Sequence, residues 1–219
     1  MSKICGLISE NHNDQLATMF ASMYEASWQS CYQRKDTQLS DVAGLGHFSI
    51  GAVNLQPQPL VDAETEVSAV FCGKIFDYDA ERRSLAEQGA LFQYQCNDGE
   101  FLRSLVSRSD VSELRNINGI FSLAVWNPEE RQLLLTGDRY GFRPLYYYHD
   151  KQHGMLAFSS DLSAILATGL PTLKVNWRAV NSFLHLGHTL GAETLFEGIY
   201  RLQPAVVLVL QNNRVPLSL

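Results

Sequence analysis

The stretch from Gly119 to Tyr148, GIFSLAVWNPEERQLLLTGDRYGFRPLYYY, constrains the fold more than any other part of the chain. Two runs rich in β-branched and other apolar residues, Ile120–Trp126 and Gln132–Thr136, flank the polar connector Asn127-Pro128-Glu129-Glu130-Arg131. Apolar runs of this length on either side of a turn-forming segment predict a β-hairpin. The second run enters Gly137-Asp138-Arg139-Tyr140-Gly141, whose glycines permit backbone angles that other residues resist, and then Arg143-Pro144-Leu145 and three tyrosines. A tight turn packed closely against sheet is expected there.

Two further residue sets repeat this strand-and-turn grammar. Phe158-Ser159-Ser160-Asp161-Leu162 reads as a strand-to-helix step, and Thr194-Leu195-Phe196-Glu197-Gly198-Ile199 precedes Leu202-Gln203-Pro204. Together with Cys5-Gly6 near the start and the hairpin pattern, these stand in the order found in the class II glutamine amidotransferase domain of asparagine synthetases. The chain is identified as resembling that family over nearly its whole length. The resemblance implies an α+β fold, the four-layer αββα sandwich of N-terminal-nucleophile hydrolases. It also implies hydrolysis of the glutamine side-chain amide, with ammonia passed to an ATP-using synthetase domain or protein, in cis or in trans.

Composition agrees with one compact unit. A chain of 219 residues with 46% hydrophobic content can bury a substantial core, and no Pro/Ser/Gly-rich linker divides it, so residues 1–219 are read as a single domain. The net charge of −6 is mild and the basic residues are scattered, which indicates no surface for nucleic acid. No apolar run approaches the ~20 residues that span a bilayer, and no signal-peptide block opens the sequence, so no membrane partner and a cytoplasmic location are expected. Cys5, Cys31, Cys72 and Cys96 are far apart and lack metal-ligand spacing, so they read as free thiols; no metal and no cofactor are expected.

Taken in order, Ile4–Ile8 is expected to be a buried strand. Leu16, Met19, Phe20, Met23 and Tyr24 form one helical stripe, with Asn13 or Asp14 as N-cap. Ser27–Asp41 reads as polar and irregular, Val42–Asn54 as strand and Val67–Phe71 as a strand covered on both sides. Helices are expected from Asp79 to Gln88, from Asp98 through Arg108 with Asp98 as the candidate cap, and again after Asp110. A strand at Met155–Ser159, helices near Leu162–Ala167 and Trp177–Leu186 capped by Asn176, and a strand at Ala205–Leu210 complete the reading.

The resemblance also proposes a site. The family's nucleophile is a cysteine at the mature N-terminus, whose own α-amine is the base, because an amine titrating near ~8 can take the thiol proton at neutral pH. The matching residue is Cys5, which stands behind Met1-Ser2-Lys3-Ile4, so its nitrogen is an amide until a leader is removed. A buried structural thiol is the alternative.

The family's Asn-Gly-Glu-Ile oxyanion segment matches Cys72-Gly73-Lys74-Ile75: Gly73 is present, and the amide donor is lost at Cys72. The arginine of the family's Gly-His-x-Arg-Leu-Ser-Ile pattern, which grips the glutamine carboxylate, is missing from Gly46-His47-Phe48-Ser49-Ile50, leaving His47 as a weak stand-in. Asp98 matches the aspartate that receives the glutamine amine, and Asp138-Arg139 is a charged pair expected to serve the scaffold.

Two readings follow from this set. In one, the fold is kept with degraded chemistry, as a structural or docking module beside an amide-forming ligase. In the other, an active glutaminase uses Cys5 after processing. The ATP-binding synthetase domain, with its Ser-Gly-Gly-x-Asp-Ser loop, is absent from these residues.

Overall fold

The computed structural model describes residues 2–94, 97–108, 111–211 and 217–218. In chain order the elements are β1 (Lys3–Ser9), α1 (Leu16–Ser27), β2 (Arg34–Leu39), β3 (Ala43–Ser49), β4 (Leu60–Val61), β5 (Ser68–Phe76), α2 (Asp79–Glu87) and α3 (Asp98–Arg108). After a 3-10 segment at Val111–Asn116 come β6 (Asn118–Asn127), β7 (Gln132–Gly137), β8 (Tyr146–Asp150), β9 (Met155–Ser159), α4 (Leu162–Ala167), α5 (Trp177–Leu186), β10 (Ile199–Arg201), β11 (Val206–Gln211) and β12 (Leu217–Ser218).

The strands form two six-stranded sheets, ordered β10-β8-β9-β1-β3-β2 and β12-β11-β7-β6-β5-β4, with antiparallel neighbours throughout. One apolar layer, including Ile4, Leu45, Val70, Ala124, Leu135 and Phe158, lies between the sheets. A second, including Phe71, Phe101, Leu102 and Phe121, joins the second sheet to α2 and α3; a third, including Leu7, Phe20, Met23 and Ile165, joins the first sheet to α1 and α4. This is the four-layer αββα sandwich. Strand alternation decides which layer each residue joins: along β7, Leu133 and Leu135 point between the sheets and Leu134 points to the helices.

The hairpin forms as expected, with Ile120–Trp126 inside β6 and Gln132–Thr136 inside β7, registered Asn127 to Gln132. The turn after it is organised by one carboxylate. Asp138, 1% exposed, accepts from the backbone N–H groups of Phe121 (3.3 Å), Tyr140 (2.9 Å), Phe142 (3.2 Å) and Arg143 (3.3 Å), so its charge is dispersed over the loop that links β7 to β8.

Several expectations are corrected. Ser27–Asp41 is not wholly irregular, because β2 pairs with β3 from Arg34↔Ser49 to Leu39↔Gly44. Neither Asn13 nor Asp14 occupies the N-cap of α1; that position is Gln15, and Asn13 Oδ1 instead accepts from the Gln15 N–H at 2.9 Å. Asn97 caps α3 by accepting from the Glu100 N–H at 2.9 Å, so Asp98 is not the cap. The strand expected at Val67–Phe71 continues to Phe76, carrying Cys72 and Gly73 within it. Cys5, Cys31 and Cys72 are free thiols, whereas Cys96 and the helix start expected at Asp110 lie outside the described residues.

Asn176 and Asp161 cap α5 and α4 through their side chains. Asp161 also pairs with Lys3 Nζ at 2.7 Å, tying the start of β1 to α4. Burial alone would raise the Asp161 carboxyl, but hydrogen bonds from Lys3 and Ser163 outweigh it and hold the group below the usual range. Because the folded value is depressed, the contribution is present above the unfolded value of ~3.9 and is lost as pH falls through the lower folded value. Asp161→Ala should therefore cost about 1–2 kcal/mol at neutral pH. In urea titrations the gap to the parent chain should narrow below about pH 4.

Candidate functional site

Cys5 lies within β1, paired to Gly46 on one side and Ser159 on the other, and is 0% exposed. Its side chain faces the α1 layer, among Phe20, Met23 and Phe48. A Cβ at Gly46 would sit 2.9 Å from the Cys5 Sγ, so the thiol fills the space that the glycine leaves. Burial pushes the thiol up to about 12, against a smaller lowering from a hydrogen bond with Ser27. Such a group stays protonated at neutral pH and is a poor nucleophile.

The residues ahead of Cys5 are bound into the sandwich. The Ile4 N–H donates to Ser160 Oγ at 3.1 Å, and the Ser160 N–H donates to the Ile4 carbonyl at 2.9 Å. The Cys72 thiol donates to the Ser2 carbonyl at 2.8 Å. Cutting the chain before Cys5 would remove all three bonds as well as the Lys3–Asp161 pair.

Cys72 points between the sheets, 3% exposed. Burial raises its thiol, with Ser2 and the Arg143 charge acting in the other direction. The following Gly73 adopts φ +140°, and a Cβ built there would lie 2.1 Å from the Ile120 carbonyl oxygen and 2.6 Å from Phe121 Cα. Sheet geometry alone therefore demands glycine at this position.

Asp98 is 1% exposed, and the chain itself occupies its carboxylate. Oδ1 accepts from Lys74 Nζ at 3.1 Å and from the Tyr78 hydroxyl at 2.8 Å. Oδ2 accepts from the Ile75 N–H and from Asn54 Nδ2, each at 3.2 Å. Asn54 completes the cluster by donating to the Gly73 carbonyl at 3.3 Å and accepting from the Asp98 N–H at 3.1 Å. Sequence reading placed Asn54 only at a strand end. Its φ of +51° in a loop distant in sequence from Asp98 is the reason nothing local marked it.

His47 is apart from this cluster. It lies opposite Ile4 on β3, 3% exposed, with Nδ1 3.8 Å from the Asp36 carboxylate and Nε2 3.4 Å from the Gln58 side-chain nitrogen. Gln58 in turn accepts from the Phe71 N–H at 2.7 Å, bridging the sheets. The neighbouring His47 holds the Asp36 carboxyl low, against the opposing effect of burial and with help from Arg34 and the Gln58 N–H. Gly73 and Asp98 are thus brought together and Cys72 adjoins them along β5; Cys5 faces the α1 layer, and His47, like its strand partner Ile4, lies on the between-sheets face, apart from the Asp98 cluster. Among the described residues, no group of three or more His, Cys, Asp or Glu side chains is placed to hold a metal ion, and no helix is long and apolar enough to cross a membrane.

Residues 1–218 match the profile of the glutamine amidotransferase domain. The chain belongs to that family. Its sequence relatives place this amidotransferase domain with the class II domains of the asparagine synthetase family. The chain is 29% identical to amidase chry2 of Gibberella zeae over 174 residues, which cover 78% of this chain and 25% of that protein. It is 34% identical to the glutamine-hydrolyzing asparagine synthetase B of Escherichia coli over 131 residues, 58% of this chain and 23% of that one. The chain therefore spans about a quarter of the length of these curated relatives. Among solved structures, glutamine phosphoribosylpyrophosphate amidotransferase from B. subtilis superposes with a TM-score of 0.62 at 15% identity, over 98% of this amidotransferase domain and 48% of that chain. An allosteric regulatory enzyme of purine biosynthesis superposes with a TM-score of 0.64 at 15% identity, over 97% of the domain and 48% of that chain. These two superpositions bear on the fold.

Thiol accessibility gives a direct check on the geometry. Exposed Cys31 should react with a maleimide in the native domain, while Cys5 and Cys72 should react only once the chain is unfolded, as read by peptide mass mapping at neutral pH.

Proposed function

We propose that this amidotransferase domain retains its fold with the glutaminase chemistry degraded, and serves as a structural or docking module beside an ATP-using, amide-forming synthetase, in cis or in trans. The observation that carries the reading is the Asp98 carboxylate. In the family this position receives the glutamine amine; here Lys74 supplies the cation, and Tyr78, Ile75 and Asn54 supply the remaining donors. A free amino acid would have to displace a tethered ammonium from a buried carboxylate, and a tethered group holds the advantage of effective concentration.

Three other departures support this reading. A thiol stands at Cys72 where an amide would help to stabilise the oxyanion, a loss of donor that typically lowers turnover ~10²- to 10³-fold. The family pattern's carboxylate-gripping arginine is missing from Gly46-His47-Phe48-Ser49-Ile50. Cys5 is protonated inside a doubly paired strand. A single domain over 1–219 and a cytoplasmic setting belong to the same proposal, with glutamine as the substrate only under the second reading.

That second reading is an active glutaminase with Cys5 exposed by processing, and it is supported by the glutamine-hydrolyzing relatives. The two are separated by measuring ammonia release from glutamine, alongside intact mass. The expected result is no release above background, equal for the parent and Cys5→Ala, in a chain that retains Ser2–Ile4. Ammonia production that Cys5→Ala abolishes would overturn the degraded reading.

The saturated carboxylate has its own consequence for stability. Asp98→Ala removes the acceptor of the buried Ile75 N–H and the hub that joins Lys74, Tyr78 and Asn54, and should cost about 3 kcal/mol or more, whereas Lys74→Met at the half-exposed end of the pair should cost much less. Chemical denaturation of both variants reads the difference.

A further inference from the structure

A cavity of about 400 Å³ opens on the helix-facing side of the second sheet, between the 3-10 segment, β6, β7 and Ala205, and shares no residue with the Asp98 cluster. Its volume falls in the range of sites that take small organic ligands. Leu114, Ile117 and Phe121 make its apolar wall, and Arg115 and Arg139 complete the lining. All three wall residues belong to the core layer between this sheet and its helices, so the cavity is an opening into packed structure.

The charge at the mouth is unbalanced. Arg115 and Arg139 are exposed, and neither has an ion-pair partner among the described residues. The acid beside Arg139 in sequence, Asp138, is buried and committed to four backbone N–H groups. Glu113, two residues from Arg115, accepts from Asn116 Nδ2 at 3.3 Å. One guanidinium is also held in place: Arg139 donates to the Arg115 carbonyl at 2.7 Å, which fixes its planar fork and leaves other N–H donors for an oxyanion. Since the chain as a whole carries −6, two exposed arginines with no ion-pair partner among the described residues at the mouth of an apolar opening are a local exception.

We infer that this cavity binds a small amphipathic anion, with a short hydrocarbon chain or ring against Leu114, Ile117 and Phe121 and its carboxylate or phosphate held by Arg115 and Arg139. Burial of the apolar part supplies affinity, and charge-assisted hydrogen bonds at the mouth set the sign of the charge accepted. The site stands independently of the glutaminase question.

Titration of the isotopically labelled chain with octanoate, octyl phosphate and octylammonium, followed by heteronuclear NMR, tests the inference. One or both anions should give saturable shifts centred on Ile117, Phe121, Thr136 and Ala205, and the ammonium should give none. The double substitution Arg115→Gln/Arg139→Gln, at exposed positions, should leave the urea midpoint nearly unchanged and weaken anion binding about tenfold or more. Absence of saturable shifts with either anion, equal binding by the double variant, or equal binding of octylammonium would overturn it.

Discussion

Every strand in the middle of this molecule has to be covered on both faces, and that requirement shapes the rest. Two sheets share one apolar layer, and each has a second layer beneath its helices. A strand in that position cannot alternate between apolar and polar residues; it must be apolar on both sides, as Leu133, Leu134 and Leu135 are. Burying apolar surface stabilises by roughly 25 cal/mol per Å², so three stacked layers dominate the favourable side of folding. Polar groups enter this interior only where backbone donors or a tethered partner meet them, as at Asp138, Asp98 and Gln58.

The same requirement explains what the sequence revealed. Ile120–Trp126, Gln132–Thr136 and Met155–Ser159 were legible as strands because double coverage leaves long apolar runs, and the cap Asn176 stood directly before an amphipathic helix. β2 was illegible because Arg34-Lys35-Asp36-Thr37-Gln38-Leu39 lies at a sheet edge, where its pairing with β3 requires no apolar pattern. At Asn97-Asp98 two good capping residues stand side by side. The choice between them is tertiary, since Lys74, Tyr78 and Asn54, distant in sequence, converge on the second of them.

The Asp98 cluster was legible only in part, since Asn54 and Tyr78, which complete it, carry no motif. Cys5, Cys72, Gly73, His47 and Asp98 were all identified by motif, yet strand alternation sends Cys5 towards α1 while its neighbour Ile4 faces the other sheet. Motif spacing carries no information about which cation will reach a carboxylate first. Lys74, where the family pattern has a glutamate, brings a positive charge onto the buried Asp98 carboxylate.

The glycine at position 73 has an implication for tracing this fold through evolution. Its Cβ would collide with the main chain of the adjoining strand, so selection for mere foldability preserves it whether or not any oxyanion is ever stabilised beside it. The neighbouring position, occupied here by Cys72, answers to no such backbone rule, and only its burial between the sheets limits which side chain can stand there. In a lineage leaving catalysis behind, the glycine becomes a fossil of architecture, and the identity of the side chain just before it is the better clock.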